Sequence, residues 1–259
     1  LGGIGAGVGT AVAFYISLLM NVCVASFCKP FSHYHIFARL LRPSVHEWRR
    51  QLGIGVPIGC TMFCEQSIFG AVGLLMTVYG TEIMAAHQAA MSFTTVAYTV
   101  PLSVSMTLTI IIGYELGAGR FADACKYRFM GWGLSVLFSL CVASSLVIFR
   151  AELASLYTNE SAMGELIASF LLYAIIMQLA DGIDAPLQGI LRGYKDVRAT
   201  FLLAVLSYWG IGLQLGWGLA RFTSAWPYGY WVGLIAGLLV GALLLFSRLR
   251  HIERSYAMR

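Results

Sequence analysis

Along this chain, long uncharged runs alternate with short stretches rich in Lys and Arg. Residues 1–28 carry no charge, 51–78 carry only Glu65, and 83–113 and 129–149 carry none. Residues 166–191 carry Asp181 and Asp184, while 199–220 and 222–247 are again uncharged. An α-helix rises 1.5 Å per residue, so about 20 residues cross ~30 Å of hydrocarbon. The pattern therefore predicts an all-α membrane protein, a multi-span bundle of seven crossing helices joined by short loops. A soluble helical protein would need charged outer stripes, and these segments are apolar or small-polar all round. An outer-membrane barrel would show alternating segments of about 10 residues, which this sequence lacks.

Composition agrees. Of 259 residues, 59% are hydrophobic and 11% charged, against about 25% charged in an ordinary soluble domain. The net charge of +5 is no nucleic-acid footprint, because the basic residues sit at helix ends and in loops rather than on one patch. Segments 29–50, 114–128, 192–198 and 248–259 hold fifteen of the seventeen Lys and Arg, whereas 79–82 holds none. Cytoplasmic loops carry the excess of positive charge. The chain is accordingly expected to start outside an inner (plasma) membrane and to end with a cytoplasmic C-terminus. Six cysteines form no CxxC pair, and Cys60 and Cys64 read as small apolar residues in helix packing. Neither a metal cluster nor a disulfide framework is expected. The first residue is Leu1, with no basic n-region, so no signal peptide is read here and the chain is expected to begin partway through a longer protein.

The longest hydrophilic stretch, 29–50, contains Pro43 and is the expected linker between structural units. Phe31, Tyr34, Phe37, Leu40 and Leu41 suggest a surface-lying amphipathic helix within 31–50; an irregular linker with scattered apolar anchors is the alternative. Pro57, Pro101 and Pro186 fall inside spans, where they free backbone carbonyls and bend helices. The glycines of GYELGAGR, at 113, 117 and 119, mark a tight turn after the third helix.

Three carboxylates carry the chemistry. Glu65 is central in its run, and Asp181 and Asp184, three apart, share a helix face. A charge at the bilayer centre costs at least ~2.5–3.5 kcal/mol and is tolerated where it faces a bundle interior or a wet cavity. With no Lys or Arg expected inside any span, these groups must share protons, bind a cation or face water. Burial and like-charge proximity disfavour ionised carboxylates, which is the logic of an ion-coupled site. Gln66 and Gln178 are polar neighbours able to orient them. Met62, Phe63, Tyr173 and Met177, with Phe69, Met91, Phe93 and Tyr98, give a lining suited to flat, lipophilic, cationic molecules.

The stretches RRQLGIGVPIG and CEQSIFG (49–70), GTEIMAAHQAAMSF (80–93), PLSVSMTLTIIIGYELGAGRFADA (101–124) and QLADGIDAPLQGILRGYKDVRA (178–199) resemble the C-terminal half of multidrug and toxic compound extrusion (MATE) transporters, in the bacterial NorM-like branch. The resemblance covers nearly the whole chain. It implies a twelve-helix fold of two six-helix lobes, of which this chain would supply the C-terminal lobe plus the preceding helix. Residues 1–28 would be the last helix of the N-terminal lobe, 29–50 the inter-lobe linker, 51–247 the C-terminal lobe and 248–259 a cytoplasmic tail. It also implies a monomeric, non-enzymatic antiporter, missing its N-terminal lobe here, that exports cationic or amphiphilic compounds for Na+ or H+, with no cofactor beyond that coupling ion. By the same resemblance Glu65 and Asp181 match the cation-coupling carboxylates and would hold Na+ in a sodium-coupled form. Asp184 is either an extra cation ligand or an incidental polar group.

A channel would show polar or carbonyl rings, and no filter-like stretch is present. An intramembrane enzyme would need a nucleophile–base pair or a metal constellation. Only His87 of five histidines lies in a span, and no HExxH occurs. The alternative function is a flippase or exporter of a lipid-linked or other endogenous metabolite, whose mark would be a basic cavity for phosphate. The charge map makes a topology prediction. A cysteine placed near Thr81 should react with an impermeant thiol reagent added outside, and one near Lys195 should not; the opposite labelling would overturn the orientation.

Overall fold

The computed structural model describes residues 2–29, 44–158, 160–224 and 226–257. Phe31, Tyr34, Phe37, Leu40, Leu41 and Pro43, the residues expected to form the amphipathic linker, lie outside the described residues. The elements are α1 (Gly2–Phe27), α2 (Val45–Met76), a 3-10 turn (Thr77–Tyr79), α3 (Thr81–Gly117), α4 (Phe121–Ser155) and α5 (Ser161–Gly193). They are followed by α6 (Val197–Ala204), a π-helical segment (Val205–Gly212), α7 (Leu213–Phe222) and α8 (Gly229–Ala257). Among the described residues seven helices are long and apolar enough to cross a membrane, the sixth being the continuous run Val197–Phe222.

Helix ends depart from the uncharged runs in one direction at the basic side. Helix α2 starts at Val45 and takes in Arg49 and Arg50, and α4 starts at Phe121, eight residues before its uncharged run at 129. Charge-free length measures the hydrocarbon, and helices continue past it with Lys and Arg heads in the headgroup layer. At the other side the uncharged run at 222 begins too early, because Phe222 closes α7 and the eighth helix starts only at Gly229.

The chain divides into two compact units, Leu1–Gln51 and Leu52–Arg259. The first holds α1 and the opening turns of α2. In the second, α5 is the axis, packed against α3, α4 and α8. Lipid tails are as apolar as leucine, so such helices associate through close packing rather than hydrophobic exclusion, and small residues make that possible. A methyl carbon added at Gly189 of α5 would sit 2.2 Å from the Ser105 carbonyl oxygen of α3. One added at Gly233 of α8 would sit 2.5 Å from the Gly212 carbonyl oxygen at the end of the π segment.

Polar pairs complete the interior. The fully buried Trp231 donates its indole N–H to His87 Nδ1 at 3.1 Å, with Phe170 at the edge of both rings. At the basic end Arg248 pairs with Asp196 (2.6 Å), Arg128 pairs with Glu253, and the Tyr194 hydroxyl donates to the same Glu253 at 3.2 Å. Gly119, at φ +75°, makes the turn expected after α3. The close crossings generate a prediction. Gly189→Ala should lower the thermal midpoint of the purified protein in detergent, since overpacking costs about 1–3 kcal/mol. Gly133→Ala, with open space around it, should leave the midpoint unchanged or slightly raised, and equal losses in both would refute this packing.

Candidate functional site

One face of α5 holds most of the site. Met177, Asp181, Asp184, Gln188 and Arg192 recur every three or four residues, so their side chains line up along the helix. Facing them, α2 brings Met62, Glu65 and Gln66, α3 brings Thr94 and Tyr98, and the π segment brings Tyr208. Two cavities open between these helices. The first, about 100 Å³, is lined by all three carboxylates together with Gln66, Met177, Tyr98 and Tyr208. The second, about 200 Å³, is lined by Met62, Glu65, Gln66, Tyr98, Gln188 and Arg192. Glu65 belongs to both.

The Gln188 side-chain amide ties the cluster together. Its Nε2 donates to Glu65 Oε1 and, at 2.8 Å, to Asp184 Oδ2, so its two N–H groups are claimed by two carboxylates. Its Oε1 accepts from Arg192 Nη2 at 2.9 Å. Tyr208 donates its hydroxyl to Asp184 Oδ2 at 2.8 Å. One residue later, Trp209 donates its indole N–H to the Cys64 carbonyl at 3.2 Å, which ties the π segment to the turn of α2 that carries Glu65. Two atoms of the cluster, Asp184 Oδ1 and Arg192 Nε, are buried without a partner. Asp181 lines the first cavity at 5% exposure and stands outside the hydrogen-bonded cluster.

Several expectations change. Arg192, read from the sequence as part of a loop, lies inside α5 at 8% exposure, so a guanidinium does enter the cluster, through Gln188. Helical side chains lean toward the N-terminus, and Arg192 reaches back one turn to Gln188. Asp184 is the hydrogen-bonded partner of Glu65 through Gln188, and so belongs to the cluster. Phe63 is 72% exposed, and it lines neither cavity. Tyr173 stacks on Tyr228 with ring centroids 5.1 Å apart, and Gln178 is buried with both amide atoms unpartnered. Gln188 was available to the same helical spacing that marked Asp181 and Asp184, four residues past the latter. Tyr208 had no such signal, because it lies in an uncharged run and the π turn sets its direction.

A family model described as MatE matches residues 57–217, more than half of the chain. The chain belongs to the MatE family. It is 44% identical over 259 residues to a probable multidrug resistance protein NorM of Bacillus subtilis, covering 100% of this chain and 57% of that one. A protein of the same name from Bacillus cereus is 43% identical over 256 residues, 99% of this chain and 56% of its own. This MatE chain thus spans about half the length of the curated relatives it matches. Its fold resembles the crystal structure of a eukaryotic MATE transporter, with TM-score 0.87 at 19% identity over 96% of this chain and 56% of that chain. The seven-span bundle corresponds to one lobe of that twelve-helix fold with one further helix.

Among the described residues no group of three or more His, Cys, Asp or Glu side chains is arranged to hold a metal ion. In this MatE site Gln188 instead keeps two carboxylates close. Replacing it with leucine removes donors to charged acceptors, worth about 1.5–3 kcal/mol. The loss should depend on pH. Ionised Glu65 and Asp184 would repel without the amide, whereas a protonated carboxyl can donate to its neighbour. Gln188→Leu should therefore lower the thermal midpoint more at pH 8 than at pH 5; an equal drop at both would refute the amide's role.

Proposed function

We propose that this chain is the C-terminal lobe, with the preceding helix, of a secondary antiporter that exports cationic or amphiphilic compounds in exchange for Na+ or H+. The supporting observation is a membrane-embedded cavity on which Glu65, Asp181 and Asp184 converge beside aromatic and methionine side chains. Three ionised carboxylates facing one guanidinium leave excess negative charge in a medium that resists it. A proton, a small cation or a cationic substrate relieves that repulsion, so ion and substrate compete even without sharing oxygens. The cavity has no nucleophile–base pair aimed at a substrate, and the reading is transport rather than catalysis. Glu65, Asp181 and Asp184 carry the coupling, while Tyr98 and Met177 give the substrate an apolar surface. In this reading 29–50 links the lobes, the basic end and the C-terminus face the cytoplasm, and the transporter works as a monomer in the inner membrane.

One observation favours the second reading, an exporter of a phosphate-bearing or other endogenous metabolite. Arg192 lines the second cavity. Its guanidinium is partly engaged by Gln188, which weighs for the first reading. The two separate in vesicles containing the transporter. Glu65→Gln retains an acceptor for the Gln188 amide and removes the charge. It should lower exchange of a fluorescent cation by at least about tenfold, and substrate affinity in the unmodified protein should weaken as sodium or proton concentration rises. Unchanged exchange in correctly inserted Glu65→Gln protein, or affinity indifferent to both ions, would refute the antiport reading.

A further inference from the structure

Away from the two cavities, a groove of about 270 Å³ runs between α4 and α8 at the basic end, with α5 as its floor. Arg128 and Phe129 of α4 form one wall with Trp132, Phe246 and Arg250 of α8 form the other, and Leu187 and Ile190 of α5 lie beneath. The depth of this groove can be read from the sequence. Arg128 immediately precedes the uncharged run 129–149, and Arg250 follows the run ending at 247 by three residues. Both guanidinium groups thus stand at the headgroup boundary, while Trp132 and Phe246 lie just inside it.

The charges are unequal to each other. Glu253 is taken up by Arg128 and by the Tyr194 hydroxyl. Arg250 and Arg254 belong to none of the ion pairs among the described residues. Arg250 lies over the Phe246 ring at 4.5 Å, and that ring stacks on Trp132 with centroids 5.7 Å apart. Arg250 also lines the adjoining hollow with Arg254, Phe121 and Cys125. Arg250 therefore rims a slot whose inner wall is aromatic and aliphatic, and Arg254, likewise outside those ion pairs, rims the hollow beside it, with the Arg128-paired Glu253 lining both. Basic pockets between transmembrane helices suit lipid head groups, and a guanidinium presents its planar donors to phosphate oxygens.

We propose that this α4–α8 groove binds one anionic phospholipid, its phosphate on Arg250 and Arg254 and an acyl chain along Phe129, Trp132 and Phe246. The commitment is to a lipid rather than free phosphate because the apolar slot continues inward from the charged rim. The site does not rest on the antiport reading, since none of these residues lines the carboxylate cavities.

The test is native mass spectrometry of the delipidated full chain in detergent, titrated with phosphatidylglycerol, phosphatidylcholine or inorganic phosphate. Phosphatidylglycerol should bind more tightly than phosphatidylcholine, and inorganic phosphate at the same concentration should not displace it. Arg250→Gln should weaken phosphatidylglycerol binding about fivefold, the worth of one basic side chain near the surface. Arg250→Lys should retain most of that affinity, and Arg221→Gln, outside the groove, all of it. Arg254→Gln, on the exposed last turn of α8, should also weaken binding and serves if Arg250→Gln does not fold. Equal binding of the two lipids, full competition by inorganic phosphate, or unchanged affinity in both arginine variants would overturn the proposal.

Discussion

Hydrocarbon supplies no hydrogen bonds, so a polar group carried into this bundle must find its partner within the protein or in a cavity that admits water. The Gln188 amide is where that requirement is most heavily met. Through one side chain it satisfies Glu65, Asp184 and Arg192, which come from two helices. Remove it and two acids and a guanidinium lose their common partner at once. The regular spacing of α5 is what brings the groups into reach, and the position of α2 beside it does the rest. The cavity lies against an apolar helix at the centre of the lobe that carries Asp181, Asp184 and Gln188 on one face.

That central position depends on contacts with no polar chemistry at all. Gly189 lets α5 lie against the backbone of α3, and Gly233 does the same for α8 against the π segment. The π turn spends an extra residue per turn, and it rotates Tyr208 toward Asp184 while Trp209 reaches the Cys64 carbonyl. Close backbone approach therefore reaches the site in two steps. Glycine fixes where the π segment runs, and the π segment fixes which donors meet the carboxylates.

The spans were legible because charge is costly in hydrocarbon and its absence over some twenty residues has few other causes. Glu65, Asp181 and Asp184 were legible for the complementary reason, as isolated exceptions within those runs. Arg192 was hidden because it sits at the end of an apolar run, where sequence alone does not distinguish a loop arginine from one that reaches back into the bundle. Phe63 was overvalued because composition does not say which way a residue faces, and Met62, Glu65 and Gln66 take the inward positions around it. Tyr208 was illegible for a different reason. A regular α-helical period places it nowhere in particular, and only the π turn aims it.

The cluster also explains how an ion can act on packing as well as on charge. Glu65 sits on α2, while Asp181 and Asp184 sit on α5, so any species that neutralises their repulsion strengthens the contact between two helices. Losing that species leaves Gln188 and Tyr208 as the donors that hold Glu65 and Asp184. Asp184 Oδ1 and Arg192 Nε are buried and unpartnered in this arrangement, so the cluster is not at its hydrogen-bonding optimum. In the antiport reading, an ion that neutralises the carboxylates would favour one packing of α2 against α5 over another, and that differential is what an alternating-access lobe requires.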